Sequence, residues 1–586
     1  MRRYSFLEWA VLIVALPACS SAVESTESAF DDADSSVESA LKVGRDEEQE
    51  EESEVDALSL DCSQLLSSLE YPNTVFTSAT SVAEGEFPQP GQTIPAHCLV
   101  TGKMFERVSP VDGNTYSIGF ELRLPLTWKK RRFFYQANGG LDGAVAPAIG
   151  ATSGGGPLKS ALQKGFAVIS SDAGHDAAQN PFFGIDPQAR LDFGYQAVGK
   201  LTPMAKKVVR LAYGKKPKWS YIGGCSNGGR HAMVAAARYA DEYDGYLVGS
   251  PGFNLPNAAI ASIYGAQQYV QLWQGETIPA GPFAGLPDLS VAFTQAERQL
   301  LSRQVLERCD ALDGVSDGMV QDTQGCQAVF DLDTDVPTCP GARDGTCLSA
   351  LQKVIVGNIF SGAKTSTQIP IYSSFPFDSG HAAGDTAFWE FISPLILDPG
   401  AVAFVFGTPP ADPALFNPVG FALGSPIDLM YASTFATTPT YTESSQSFMV
   451  PPALDGFHRH GRRMMIYHGA SDPIFSAEDT VKWLEELEPA DRAAARLYLV
   501  PGMSHCAGGP STDQFDLLKP LIRWVERREA PERVIASARG PANPGGPNFD
   551  LPPAWSPERT RPLCPYPRVA TYHGGNIERA SSFHCE

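Results

Sequence analysis

Residues 219–233 read W-S-Y-I-G-G-C-S-N-G-G-R-H-A-M. A short apolar run stops at two glycines, a serine stands between Gly224 and Gly228, and the Ala-rich stretch from Gly229 to Ala240 has helical character. A serine on a glycine-flanked turn between a strand and a helix is presented as a nucleophile. The pentapeptide G-C-S-N-G alone is a weak signal; its strand and helix flanks make Ser226 a candidate. The residue before it, Cys225, puts a thiol beside a nucleophile and requires a reason.

Working outward, Arg132–Gln136 (R-F-F-Y-Q) and Phe166–Ser170 (F-A-V-I-S) are short apolar runs of the kind that become buried parallel strands. Arg463–Tyr467 (R-M-M-I-Y) and Ala495–Val500 (A-R-L-Y-L-V) are two more. The loop after the first of these is H-G-A-S-D-P-I-F, with Asp472; the exit of the second carries His505 in P-G-M-S-H-C-A-G-G. A serine nucleophile needs a base and a group that orients the base. The chain order Ser226, Asp472, His505 is that of an α/β-hydrolase. Asp472 could instead only open a turn before Pro473, Asp479 is an alternative acid, and His468 an alternative base; their spacing from a strand end disfavours Asp479 and His468.

The chain begins M-R-R-Y-S-F-L-E-W-A-V-L-I-V-A-L-P-A-C. Two arginines and an apolar run too short to span a bilayer predict an export signal over residues 1–19. Leu16-Pro17-Ala18-Cys19 resembles a lipoprotein processing site, so Cys19 is a candidate lipid anchor, the alternative being an ordinary signal with an incidental cysteine. Residues 20–58 are predicted to be an acidic, disordered tether, with fourteen Asp/Glu between Glu24 and Asp56 against Lys42 and Arg45. That tether holds −12 of the net −21 and leaves −9 elsewhere, an ordinary acidic surface that argues against nucleic acid or anionic membrane partners.

Besides Cys19 there are ten cysteines, an even number that in an exported chain implies disulfides. Eight form sequence-local pairs: Cys62/Cys98, Cys309/Cys326, Cys339/Cys347 and Cys564/Cys585. The remaining two, Cys225 and Cys506, each adjoin a candidate catalytic residue. A bridge between them would hold Ser226 and His505 within roughly 13 Å by Cα, which gives the thiol at 225 its reason.

These residues resemble the tannase and feruloyl esterase family, which includes bacterial mono(2-hydroxyethyl) terephthalate hydrolases. The resemblance covers nearly all of residues 60–586. Its marks are N-G-G-L-D-G at 138–143, G-F-A-V-I-S-S-D-A-G-H at 165–175, G-G-C-S-N-G-G-R at 223–230, H-G-A-S-D at 468–472 and G-M-S-H-C-A-G-G at 502–509. It implies a Ser226–His505–Asp472 triad and a Cys225–Cys506 bridge. Geometry of the hydrolase elbow adds an oxyanion hole from the backbone N–H of Asn227 and of Gly140. Family members often carry Thr or Glu where this chain has Asn227; the donor is a backbone one, so the change should not abolish catalysis.

The stretch C-D-A-L-D-G-V-S-D-G-M-V at 309–320 sets three carboxylates among two glycines, a pattern that can converge oxygens on a hard cation, although a surface turn can look alike. The resemblance implies a structural calcium site of Asp310, Asp313 and Asp317 with the carbonyls of Val315 and Met319. It also implies that residues 253–450 form a lid domain over a core made of 59–252 and 451–586. Among the lid aromatics Trp273, Phe388, Trp389, Phe404, Phe406, Phe416 and Phe421, most should be core. Phe475, three residues after Asp472, is the better candidate for substrate contact. The terephthalate monoester hydrolases use a lid arginine for the free carboxylate, yet from Thr365 to His458 this chain has no Lys or Arg.

The expected protein is thus an exported, calcium-stabilised serine esterase, monomeric, acting on uncharged esters of aromatic acids such as feruloyl or galloyl esters. Its rivals are a terephthalate-monoester hydrolase, a peptidase or lipase, and a non-catalytic binding protein on a hydrolase fold.

Overall fold

The computed structural model describes residues 54–85, 93–151, 154–155, 158–454 and 457–586. The export signal, Cys19 and the tether up to residue 53 lie outside the described residues.

Nine strands form the central sheet: β1 (Thr74–Val82), β2 (His97–Val108), β3 (Thr115–Pro125), β4 (Arg132–Gln136), β5 (Ala167–Ser171), β6 (Trp219–Cys225), β7 (Gly245–Gly249), β8 (Arg463–Gly469) and β9 (Ala495–Val500). Their order across the sheet is β9-β8-β7-β6-β4-β5-β3-β2-β1. The six strands from β9 to β5 run parallel, whereas β3, β2 and β1 continue the sheet antiparallel.

The strand period of two sorts side chains into two cores. Phe133, Tyr135, Ala167, Ile169, Ile222, Tyr246, Val248 and Ile466 face one side, where they meet the helix Ala197–Tyr213 through Leu201, Met204, Ala205, Val208 and Val209. Phe134, Val168, Tyr221, Leu247 and Met465 face the other, against Leu518, Leu521, Ile522 and Val525 of the helix Leu518–Arg527. Burial on both faces is why these strands read as continuous apolar runs. Among the described residues β1 has one neighbour only, and its positions are half-buried or exposed.

Between β7 and β8 the described chain adds no strand to the sheet. It folds into helices that include Leu255–Tyr269, Gln295–Cys309 and Ala350–Phe360. Ile260, Leu301, Val356, Leu395 and Phe406 of this inserted segment belong to the same apolar cluster as Ile222 and Val248. The insertion therefore shares the core of the sheet instead of building a separate one.

All five expected bridges are present: Cys62–Cys98, Cys225–Cys506, Cys309–Cys326, Cys339–Cys347 and Cys564–Cys585. One boundary is corrected. The tether was expected to run to residue 58, but Val55–Ala57 pairs antiparallel with Thr127–Lys129, and Glu54 meets Arg131. Arg131 and Lys218 attract Glu54 and Lys215 attracts Asp56, and charge counting along the sequence alone misses such partners.

Candidate active site

Ser226 joins β6 to the helix Asn227–Arg238 with φ 64° and ψ −127°. A left-handed φ at a non-glycine residue costs roughly 1–3 kcal/mol and persists only where the surroundings fix it. Here they do. A Cβ on Gly224 or Gly228 would come within 2.2 or 2.4 Å of the Ala137 carbonyl oxygen, so the backbone after β4 packs against both glycines. The Ser226 N–H is already taken by the Gly249 carbonyl (2.9 Å), which leaves it unavailable as an oxyanion donor. Ser226 itself is half-buried.

Asp472 follows β8 and His505 follows β9, so both emerge at the same edge of the parallel sheet as Ser226. The Asp472 side chain is fully buried. Its Oδ1 accepts the N–H groups of Ile474 (3.1 Å) and Phe475 (3.0 Å), and its Oδ2 accepts Nδ1–H of His505 (2.8 Å). Burial pushes this carboxyl upward, but the charges and hydrogen bonds of His505 and His468 outweigh it and hold it well below the usual carboxylate range. Because an ionised carboxylate only accepts, the His505 proton sits on Nδ1 and the Nε2 lone pair is left open, as a general base requires.

The competing assignments separate cleanly. His468 is completely buried; its Nε2 donates to the Phe475 carbonyl (2.9 Å), its Nδ1 shares a hydrogen bond with Thr480 Oγ1 (2.8 Å), and Asp472 Oδ2 lies 3.6 Å away. Both of its ring nitrogens are thus engaged. Asp479 lies in the helix Ala477–Glu486 and accepts from Ser373 Oγ.

The bridge Cys225–Cys506 brings its Cα atoms to 6.2 Å and ties the serine turn to the histidine loop. On the third side lies N-G-G-L-D-G. Asn138 Nδ2 donates to Ser170 Oγ (3.0 Å) and to the Ser171 carbonyl (2.7 Å), and a Cβ on Gly139 would lie 3.8 Å from that of Ser226. Gly140, with φ 62°, has open space where a side chain would be.

Phe475 was expected as a substrate contact. It is 2% exposed and packs its ring against His505, centroids 5.2 Å apart at 75°. Trp389 of the inserted segment packs on the same imidazole at 5.3 Å and 75°, with Phe388 against it. Phe404 and Phe406 are wholly buried core, while Trp273, Phe416 and Phe421 are half-buried.

Two aspartates were not foreseen. Asp378 Oδ2 accepts from Ser471 Oγ (2.8 Å) and from the Gly502 N–H (2.7 Å), and so holds the acid loop and the histidine loop at once. Asp385 Oδ1 accepts from Ser504 Oγ (2.6 Å), one residue before His505. Nothing in F-D-S-G-H or G-D-T-A-F announces such long-range partners.

In the acidic loop, Asp313 and Asp317 are buried, and Asp313 Oδ2 and Asp317 Oδ1 have no hydrogen-bond partner. Burial, and then the charges of Asp317 and Asp310, push the Asp313 carboxyl up to about 7. Asp310 points its carboxylate at the N–H groups of Asp317, Gly318 and Met319, and Arg561 pairs with the other oxygen of Asp317. Val315 adds its N–H to Asp313 Oδ1 (3.1 Å). Orphaned buried carboxylate oxygens fit an oxygen-coordinated cation.

The family described as "Tannase and feruloyl esterase" matches residues 98–586. The chain is 36% identical to a mono(2-hydroxyethyl) terephthalate hydrolase of Piscinibacter sakaiensis over 530 residues, covering 84% of this chain and 85% of that protein. It is 25% identical to a probable feruloyl esterase B-1 of Neosartorya fischeri, covering 76% and 78%. Feruloyl esterase B from Aspergillus oryzae shares the fold with a TM-score of 0.70 at 21% identity, over 90% of this chain and 99% of that one. Tannin acyl hydrolase from Aspergillus niger does so at 0.59 and 21%, over 88% and 90%. The chain belongs to the tannase and feruloyl esterase family and is a carboxylic ester hydrolase.

Proposed function

We propose that the protein hydrolyses esters of aromatic carboxylic acids through a Ser226–His505–Asp472 triad. The observation that carries this reading is the Asp472–His505 hydrogen bond, held beside the strained Ser226 turn by Cys225–Cys506. His505 Nε2 takes the Ser226 proton as Oγ attacks the ester carbonyl. The N–H groups of Asn227 and Gly140 receive the oxyanion, and His505 then protonates the leaving alcohol. Water repeats the sequence on the acyl-enzyme and releases the acid.

For the acyl group we favour an uncharged aromatic acid of the feruloyl or galloyl type. With no Lys or Arg from Thr365 to His458, that stretch offers no cation to a substrate carboxylate, and an unpaired carboxylate is costly to desolvate. The 36% identity to a terephthalate-monoester hydrolase supports the second reading. A hydrolysis panel of methyl ferulate, gallate esters and terephthalate mono- and diesters separates them: a kcat/KM for the terephthalate monoester above that of every neutral ester would reverse the preference.

Asp310, Asp313 and Asp317, with the carbonyls of Val315 and Met319, would hold a structural calcium ion. Its part is to neutralise three crowded carboxylates. We further propose an exported protein, a monomer acting as a cover-bearing hydrolase in an oxidising compartment; five disulfides support that placement.

A further inference from the structure

The C-terminal hairpin carries a cluster that neither the esterase site nor the acidic loop uses. Ala570–Tyr572 and Phe583–Cys585 pair antiparallel, with Thr571 opposite His584 and Tyr572 opposite Phe583. Side chains alternate across the pleat, so Phe583 is wholly buried while His573, His584 and Glu586 are exposed together on the outer face. The two imidazoles stack with centroids 4.4 Å apart and planes at 17°, and His573 Nε2 lies 2.7 Å from Glu586 Oε1. One donor atom from each of the three side chains lies within 4.8 Å of the others. Ligands bound tetrahedrally to one ion at about 2.0–2.1 Å are roughly 3.4 Å apart, so closure takes up to about 1.4 Å of motion in exposed side chains.

We infer that His573, His584 and Glu586 form a binding site for a borderline divalent transition-metal ion such as Zn²⁺, Ni²⁺ or Cu²⁺, with water completing the coordination. Two imidazoles and one carboxylate select such ions over Ca²⁺ and Mg²⁺, which prefer all-oxygen shells. The backbone is already set. Cys564–Cys585 staples the hairpin, the His573 N–H donates to the Ser582 carbonyl (2.9 Å), and Val569 and Glu586 exchange backbone hydrogen bonds of 2.7 and 2.9 Å. The hairpin also backs the acidic loop: a Cβ on Gly314 would lie 3.5 Å from the Tyr572 carbonyl oxygen. An ion on the hairpin should therefore raise thermal stability without replacing the calcium.

The test is calorimetric titration of Zn²⁺ into the tag-free protein in calcium-containing buffer. One ion per chain is expected, with a micromolar Kd that rises at least about tenfold in His573→Ala, in His584→Ala and in Glu586→Gln, and a Zn²⁺-induced rise in Tm that each variant loses. The metal-free Tm of the variants serves as the folding control. Absence of saturable Zn²⁺ binding, or binding that all three variants retain, would overturn the site.

A second cluster, within the proposed catalytic machinery and resting on that reading, carries its own inference. Asp142, in the N-G-G-L-D-G loop with φ 56°, accepts from Asn227 Nδ2 (2.7 Å) and from His231 Nε2 (2.8 Å). Asn227 Oδ1 accepts from Arg230 Nε (2.6 Å), and the fully buried Arg230 donates onward to the carbonyls of Gly194 (2.7 Å) and Phe193 (2.9 Å). Burial, and then the Arg230 charge, push the His231 imidazole down, and its Nε2 faces Asp142. The geometry points to Asn227 and Asp142 as positioning residues that fix the spacing between the two oxyanion donors, at Asn227 and in the Gly140 loop. Asn227 thus contributes through its side chain as well as its backbone.

Asn227→Ala and Asp142→Asn should lower kcat by about ten- to a hundredfold with KM changed less than about threefold, while a fluorophosphonate probe still labels Ser226. A lower Tm at unchanged kcat would mean a purely structural network and overturn the inference. Turnover surviving in Ser226→Ala would instead strike the triad, so the two failures are distinguishable.

Discussion

Cys225 and Cys506 are 281 residues apart in sequence and 6.2 Å apart by Cα, and each is the chain neighbour of a proposed catalytic residue, Ser226 or His505. Replacing both with Ala should lower kcat/KM by about a hundredfold in a protein that still folds at low temperature, because a shift near 1 Å between nucleophile and base has that effect. Burst kinetics on an activated aryl ester would read it. Unchanged acylation in the folded double variant would reduce the bridge to a stability element.

Ser226→Ala and His505→Ala should each remove nearly all turnover, by about 10⁴-fold or more, with far-UV spectra unchanged, since members of a triad act as a unit. Activity within tenfold of the parent in either variant would sink the assignment.

Calcium removal should act on stability first. Chelation or Asp313→Asn is expected to lower Tm while turnover in the cold changes little, because the acidic loop lies beside the C-terminal hairpin. Thermal shift with and without chelator checks this. An immediate, reversible loss of chemistry in a folded protein would give the ion a catalytic part instead.

Asp398 supplies a pH signature. Its carboxyl is buried in the inserted segment and, with Ser393 Oγ donating at 2.9 Å, is pushed up to about 7 by loss of hydration. A folded value above the unfolded one near 3.9 means that the contribution of Asp398 to stability is greatest below about pH 4, declines as pH rises toward 7 and stays reduced above it. Asp398→Asn removes that titration. Its Tm should match the parent at pH 4 and exceed it by a few degrees at pH 8; an equal difference at both pH values would refute the assignment.

Five of the six parallel strands and the proposed reacting residues were legible in the sequence, because strands buried on both faces are continuous apolar runs and the glycines beside Ser226 are forced by backbone contact, whereas Gly245–Gly249 was not read. Arg132–Gln136 and Ala495–Val500 were readable to the residue, and Phe166–Ser170 was displaced by one. The antiparallel edge β1 to β3 was not read, because its half-exposed face dilutes the apolar pattern. The packing of Phe475 on His505 was not legible, since position along the chain does not say which way a ring turns; Gly252 leaves the space that it fills. Asp378 and Asp385 were invisible because their partners lie roughly a hundred residues away.

Asp378 also bears on how such enzymes can be recombined. One carboxylate oxygen fastens Ser471 on the acid loop to Gly502 on the histidine loop, and the Gly380 N–H returns to Ser471 Oγ at 2.8 Å. A chimaera that grafts the insertion of another family member between β7 and β8 must therefore carry a matching aspartate, or change residues 471 and 502 with it. A graft selected only for its aromatic wall would arrive with the imidazole unsupported, so the natural unit of exchange is the insertion together with the two loops that it fastens.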